Sequence, residues 1–243
     1  MGFVDVHSHV VPSGDDGAGT VREAVELCFS AAAHGTGVLF ATPHVWPQLP
    51  LTIAREGEVR RAFERVRRER GLPLELRLGF ELTPHHPLLD EDLRRYELEG
   101  TGAVLMEVPF VGSAEILVRL GEHAEQSGLR PVIAHPERTQ AVQERPPLAD
   151  ELAERGWLLQ VNASSLTGDH GPDADELGWT LVEGGLASVV ASDGHRSTRP
   201  PHLDAAYAEA IRKVGEERAR ELFCGAALGF SERAPSLADR PAA

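Results

Sequence analysis

Short apolar runs alternate along the chain with longer stretches in which apolar residues recur every three or four positions. The runs are Phe3–Val10, Gly37–Thr42, Leu74–Leu82, Ala103–Val108, Pro131–His135, Trp157–Asn162 and Ala187–Ser192. Rich in Val, Leu and Ile and bounded by Gly, Pro or Asp, they predict strands. The stretches between them predict helices. Thr20-Val-Arg-Glu23 is a capping-box sequence, Val21, Val25, Cys28, Phe29 and Ala32 follow at helical spacing, and Gly35 stands where a C-terminal cap belongs. A second stripe, Val59, Ala62, Phe63 and Val66, ends at Gly71. Further helices are expected over 113–127, 148–155, 173–184 and 202–214, with a shorter one over Leu88–Glu97.

Strands that each lead into a helix argue for a parallel sheet, because parallel neighbours need crossover connections. An open nucleotide-binding sheet would carry a glycine-rich phosphate loop after its first strand. His7-Ser-His9 stands there instead, and the nearby segment Ser13–Gly19 has Asp15 and Asp16 at its centre, which would repel a phosphate. The expectation is therefore an α/β fold closed into a distorted (β/α)7 TIM-like barrel over residues 1–230, with a polar tail, 231–243, that frays.

Composition adds bounds rather than a function. With 42% hydrophobic and 26% charged residues in 243, the chain reads as an ordinary soluble globular protein. No apolar run approaches the ~20 residues that cross a bilayer, and the N-terminus has no basic segment followed by an apolar core. A cytoplasmic protein without membrane insertion is expected, with Cys28 and Cys224 as structural thiols. The net charge of −14 disfavours a nucleic-acid partner. The most basic segment, Arg55 to Arg70, is interleaved with Glu56, Glu58, Glu64 and Glu69 and reads as a solvated helix face.

The chemistry-bearing residues fall at the C-terminal ends of the predicted strands. His7 and His9 close the first, His44 follows the second, Glu81 closes the third, Glu107 the fourth and His135 the fifth, while Asp193 and His195 follow the last. In a β/α barrel this is the face where active sites sit. Alternation along a strand places His7 with Asp5 and His9, Glu81 with Gly79, Glu107 with Leu105 and Ala103, His135 with Ile133, and Asp193 with Ala191 and Val189. A lone histidine in an apolar strand is more often a satisfied core residue than a ligand. So many imidazoles and carboxylates at successive strand ends are not independent accidents, and divalent ions would satisfy them together. Mixed N/O ligation without cysteine suits Mn, Fe or Zn. Pro136 biases His135 toward an extended backbone, and His34, His85, His86, His123, His170 and His202 read as surface residues.

These residues sit in motifs. Asp5-Val-His-Ser-His9, Asp15-Asp-Gly17, Ala41-Thr-Pro-His44, Met106-Glu-Val-Pro109, Ile133-Ala-His-Pro-Glu-Arg138, Ser165-Leu-Thr-Gly168, Ala191-Ser-Asp-Gly-His195 and Arg199-Pro-Pro-His202 occur in order. Together they resemble the polymerase-and-histidinol-phosphatase (PHP) superfamily, and within it the bacterial metal-dependent protein-tyrosine phosphatases of capsule and exopolysaccharide control, over about residues 3–205.

The resemblance implies a PHP-type barrel with three divalent ions, manganese first among the candidates. One would take His7, His9, Glu81 and Asp193; a second Glu81, Glu107 and His135; a third Asp16, His44 and His195. Arg138 and Arg199 match arginines that hold the substrate phosphate, and Asp15 is off the family spacing. Two segments depart from the pattern: the stretch between His195 and Arg199 is one residue shorter, and the loop Val45–Pro50 differs. The reaction implied is attack of metal-activated hydroxide on a phosphomonoester of a tyrosine-phosphorylated protein, with the tail of a bacterial tyrosine kinase as a candidate target. The rival readings are a small-molecule phosphatase acting on a substrate such as histidinol phosphate, a phosphodiesterase or nuclease, and a metal-dependent binding module.

Overall fold

The computed structural model describes residues 2–110 and 114–230; the tail expected to fray, 231–243, and residue 113 of an expected helix lie outside them. Among the described residues the strands are β1 (Phe3–Asp5), β2 (Thr36–Ala41), β3 (His44–Val45), β4 (Glu75–Leu78), β5 (Glu81–Leu82), β6 (Ala103–Glu107), β7 (Arg130–Ala134), β8 (Leu158–Asn162) and β9 (Ala187–Ala191). The helices are α1 (Val21–Ala33), α2 (Ile53–Arg67), α3 (Glu115–Gln126), α4 (Gln140–Glu144), α5 (Pro147–Glu154), α6 (Ala163–Leu166), α7 (Pro172–Glu183), α8 (Asp204–Val214) and α9 (Glu216–Phe223). The expected capping box opens α1, with the Thr20 side chain accepting from the Glu23 N–H at 3.1 Å.

All strand pairs are parallel, in the orders β1-β2-β4 and β3-β5-β6-β7-β8-β9. The two ladders are one circuit. β3 prolongs β2, and β5 prolongs β4, across breaks bridged by Gly79 N–H to Ala41 O at 2.9 Å and Glu81 N–H to Pro43 O at 3.1 Å. Gly79 stands at the break between β4 and β5, where a Cβ would lie 2.5 Å from Leu98 Cδ2, so the close approach of Leu98 calls for glycine. The circuit closes where Ser8 bridges Gly194, with His9 N–H on Gly194 O at 2.6 Å and Asp193 N–H on His7 O at 2.9 Å. The result is the distorted seven-unit β/α barrel expected from the alternation of runs.

Its interior is a small core of Val4, Val6, Val38, Phe40, Ala103, Leu105, Val132, Ala134, Leu158, Val189 and Ala191, capped below by Leu228. A larger apolar layer packs the helices on the outside. The inner rows settle the alternation argument strand by strand. On β6 and β9 the rows Ala103, Leu105 and Val189, Ala191 lead to Glu107 and Asp193 as expected. On β1 and β7 they do not: the inner rows are Val4, Val6 and Val132, Ala134, so His7 and His135 carry the opposite parity. Both reach the site because the regular strand has ended. β1 stops at Asp5, whose Oδ1 takes the Ser192 N–H at 3.0 Å in place of a backbone carbonyl. His135 is left-handed (φ 35°, ψ 51°), not extended as Pro136 led one to expect. Its N–H is held by Gln160 O at 2.8 Å and its carbonyl by Arg138 N–H at 3.0 Å, and these two bonds override the local bias.

Candidate metal centre

The strand ends converge on one cavity of about 520 Å³, lined in part by Asp16, His44, Glu107, His135, Arg138, Asp193, His195 and Arg199. Deeper still are His7, His9 and Glu81, which have no exposure. Nine residues named from the sequence as ligands, from His7 to His195, thus lie at one end of the barrel, and eight of them are grouped closely enough to hold ions. The groups are His7, His9 and Asp193; His7, Glu81 and His135; and His9, Asp16, His44 and His195.

Glu81 is the hub. Its Oε2 stands 3.2 Å from His7 Nε2, 3.2 Å from His9 Nε2 and 2.9 Å from His44 Nδ1. Its Oε1 meets His135 Nε2 at 3.0 Å. Yet Oε2 makes no hydrogen bond, nor does His44 Nδ1, although both are fully buried. The nitrogens are near enough but misaligned. A buried carboxylate oxygen and imidazole lone pairs left aimed at one space cost several kcal/mol, roughly, unless a cation joins them. The donor set therefore fits divalent metal.

Neighbouring groups fix which nitrogens face inward. His7 Nδ1 meets Gln160 Oε1 at 2.8 Å, so that nitrogen carries the proton and Nε2 keeps its lone pair for the centre. Gln160 in turn donates to Asn162 Oδ1 at 2.8 Å, and Asn162 Nδ2 donates to Asp193 Oδ2 at 2.9 Å. His195 Nδ1 lies 2.8 Å from Asp193 O, leaving its Nε2 3.2 Å from Asp16 Oδ1. Asp193, like His135, has positive φ, 50°; no other described non-glycine residue does, so the backbone strain is concentrated at the centre.

The two carboxylates of the acidic pair point different ways. Asp16 points outward to His44 and His195, while Asp15 accepts from the backbone of Gly17 at 3.0 Å and of His44 at 3.1 Å and braces His9 Nδ1 at 3.5 Å. Glu107 stands outside the three groups and accepts a short hydrogen bond from Thr83 Oγ1. Burial and the charge of Glu81 push its carboxyl up to about 8. Burial also opposes charge on Glu81 and Asp193, but His7 and His44 around the first, and His7 and His9 around the second, hold both well below the usual carboxylate range.

Arg138 pairs with Asp193 rather than with Glu137 or Glu144. Its Nη1 donates to Asp193 Oδ2 at 2.6 Å. Glu137 is buried on the other side, accepting from Asn162 N–H at 3.0 Å and Ser165 Oγ at 2.7 Å. Arg199 Nη1 lies 3.6 Å from the same Asp193 oxygen, and its Nη2 lies against the His195 ring. Both guanidiniums line the cavity.

Several residues at the centre escaped the sequence reading. Gln160 and Asn162 are polar residues at inward positions of a predicted strand, after Leu158, and that pattern was the available signal. Arg55 is a correction: it is 9% exposed, not on a solvated face, and donates to Ser13 O, Leu49 O and His44 O. Trp46 and Phe110 line the cavity mouth. Of the histidines read as surface residues, only His86 is exposed. His202 stacks on His34 with centroids 3.5 Å apart, and His85, His123 and His170 bond to Thr83 O, Glu91 O and Ser164 Oγ. Cys28 and Cys224 are buried thiols.

The family model described as "Capsular polysaccharide synthesis, CpsB/CapC" matches residues 3–229. The tyrosine-protein phosphatase YwqE of Bacillus subtilis is 31% identical over 223 residues, covering 88% of this chain and 86% of that protein. The tyrosine-protein phosphatase CpsB of Streptococcus agalactiae is 28% identical over 232 residues, covering 91% and 95%. Among solved structures, one from work on YwqE of Bacillus subtilis and CpsB of Streptococcus pneumoniae, described as unique metal-dependent tyrosine phosphatases, superposes with a TM-score of 0.81 at 30% identity, covering 90% of each chain.

Proposed function

The chain belongs to the CpsB/CapC family of capsular polysaccharide synthesis, and from that membership and the donor set of its centre we propose that it is a metal-dependent phosphomonoesterase that removes phosphate from tyrosine-phosphorylated bacterial proteins. The observation that carries the reading is the Glu81 hub, one buried carboxylate oxygen within 3.2 Å of three imidazoles and hydrogen-bonded to none. His7, His9, Glu81 and Asp193 would hold one divalent ion, Glu81, Glu107 and His135 a second, and Asp16, His44 and His195 a third. Manganese suits this oxygen and nitrogen set, as do iron and zinc. Bound there, divalent ions supply positive charge and Lewis acidity for hydrolysis of a phosphate ester.

The remaining work falls to the chain. Arg138 and Arg199 face the cavity from the Asp193 side, and two guanidinium forks there bind the phosphoryl oxygens and neutralise charge that grows as the ester breaks. Thr83 holds Glu107 toward the same space. Among the described residues, those that line the cavity outside the ligand set carry no carboxyl or imidazole to protonate a poor leaving group, which favours phenolate, with its pKa of about 10, over a serine alkoxide. A phosphotyrosine tail of a bacterial tyrosine kinase is the target that fits. No helix of the described residues is long and apolar enough to cross a membrane, consistent with a cytoplasmic site of action.

The test is kcat/KM for a phosphotyrosine peptide against a matched phosphoserine peptide and histidinol phosphate, in one metal and buffer. Preference for phosphotyrosine is expected. Faster turnover of histidinol phosphate would transfer the assignment to a small-molecule phosphatase.

A further inference from the structure

Two aromatic side chains stand at the mouth of the metal centre, and neither serves its ligation. Trp46 lies against His44, centroids 4.3 Å apart and planes 30° from parallel. Phe110 lies against His135, centroids 5.6 Å apart and planes at 21°, and carries the Arg138 guanidinium 5.5 Å from its own centroid. Both line the same cavity as the two arginines. Both rings are partly open to solvent, as is Phe29 on α1 at 42%. Phe110 is 44% exposed, and Trp46 is partly open to solvent whereas Trp157 and Trp179 are 2% and 6% exposed.

The backbone that carries each ring is tied down. Trp46 O accepts from Leu49 N–H at 3.0 Å, closing a tight turn, and buried Arg55 pins that turn at both ends through His44 O and Leu49 O, each at 2.8 Å. Phe110 O takes the Gln140 N–H at 3.3 Å, which ties it to the start of α4. The ring faces are set by their stacking on His44 and His135. A phosphate held by Arg138 and Arg199 would place the first carbons of its ester beside these faces.

We propose that Trp46 and Phe110 form the walls of a slot for the aromatic ring of the substrate and so select aryl over alkyl phosphate esters. The proposal rests on the phosphatase reading above and adds the residues that choose the ester. It also gives a role to the turn within Val45–Pro50 that Arg55 holds. Against it stands the simpler role of Trp46 as a cover for His44.

The experiment compares the metal-loaded protein with Trp46→Ala, Trp46→Phe and Phe110→Ala at verified metal content. Two pairs of ligands are read: kcat/KM for phenyl phosphate against methyl phosphate, and calorimetric affinity for phenylphosphonate against methylphosphonate. Each alanine variant should lower the aryl-to-alkyl ratio about three- to tenfold, the scale of one lost aromatic contact, and Trp46→Phe should retain most of it. Parallel loss on both esters with metal retained would reduce Trp46 and Phe110 to supports of the centre and overturn the slot, as would an unchanged ratio. A wild type that hydrolyses neither ester overturns the phosphatase reading instead. The slot is then decided by the phosphonates: it stands if the wild type prefers phenylphosphonate and the alanine variants lose that preference, and it falls otherwise.

Discussion

Nη1 of Arg138 donates to Oδ2 of Asp193 at 2.6 Å, while the other oxygen of that carboxylate faces His7 and His9 at 3.4 Å each. One aspartate thus joins the arginine side of the cavity to its histidine side. Asn162 Nδ2 holds the same Oδ2 at 2.9 Å, so Asp193 keeps a partner when the guanidinium is removed. Arg138→Ala should therefore lower kcat by about 100-fold or more while elemental analysis finds metal near the wild-type level. Arg138→Lys should restore only part of the rate, because an ammonium cannot offer two parallel donors. Loss of metal in Arg138→Ala would move this residue from substrate binding to support of the centre.

Much of this arrangement was legible in the chain. Glu107 and Asp193 end inward rows that a period of two predicts, and the order of strands and helices implied a parallel barrel. What could not be read is where regular strand gives out. His7 and His135 reach the centre through backbone that follows β1 and β7, and a left-handed residue before proline runs against the local preference. The long-range bond from the His135 N–H to Gln160 O decides it together with the local turn to Arg138, and no short window of sequence contains both His135 and Gln160. Arg55 was readable and missed: it stands four residues before Val59, on the stripe that α2 buries with Phe63 and Val66, although the charges around it suggested a solvated face.

Glu81 touches four imidazoles and His44 touches one shared carboxylate oxygen, so their removal should not be equivalent. Glu81→Gln is expected to release more than one ion per chain, while His44→Ala releases mainly one. Metal per chain after gel filtration checks this. Chelation should abolish activity, and full activity in chelator with no bound metal would remove the basis for the centre.

The Gln160 side chain sets the tautomer of His7 through a 2.8 Å contact, and its other hydrogen bond goes to Asn162 rather than to a proposed ligand. Gln160→Leu fills similar space but lets the imidazole rotate and change tautomer. Metal affinity should fall about 10- to 100-fold by competition with a chelating dye, the usual scale for loss of a partner behind a ligand. Unchanged affinity would mean that the His9, Glu81 and Asp193 contacts alone orient His7.

The last prediction concerns His170, which lies outside the ligand groups and bonds to Ser164 Oγ at 2.7 Å. Burial, then the charges of Arg138 and Arg199, push its imidazole down from 6.5 to about 4. In the window from 6.5 to about 4 the unfolded chain binds a proton that the native chain refuses. Stability from this group is therefore complete above the unfolded value and is lost as pH falls through the window, because the slope follows the difference in bound protons. The group is only half-buried, so solvent screening keeps the effect modest. His170→Asn removes the titration while keeping a polar group beside Ser164. Denaturant unfolding at about pH 7 and about pH 5 should then show a smaller acid-side loss in the variant than in the wild type. Proton NMR gives the direct check. The His170 ring should titrate near 4, and Arg138→Ala should move it back toward 6.5 by taking one of the two nearby charges away. A ring that already titrates at its ordinary value would show that the two arginines are not close enough to be felt there.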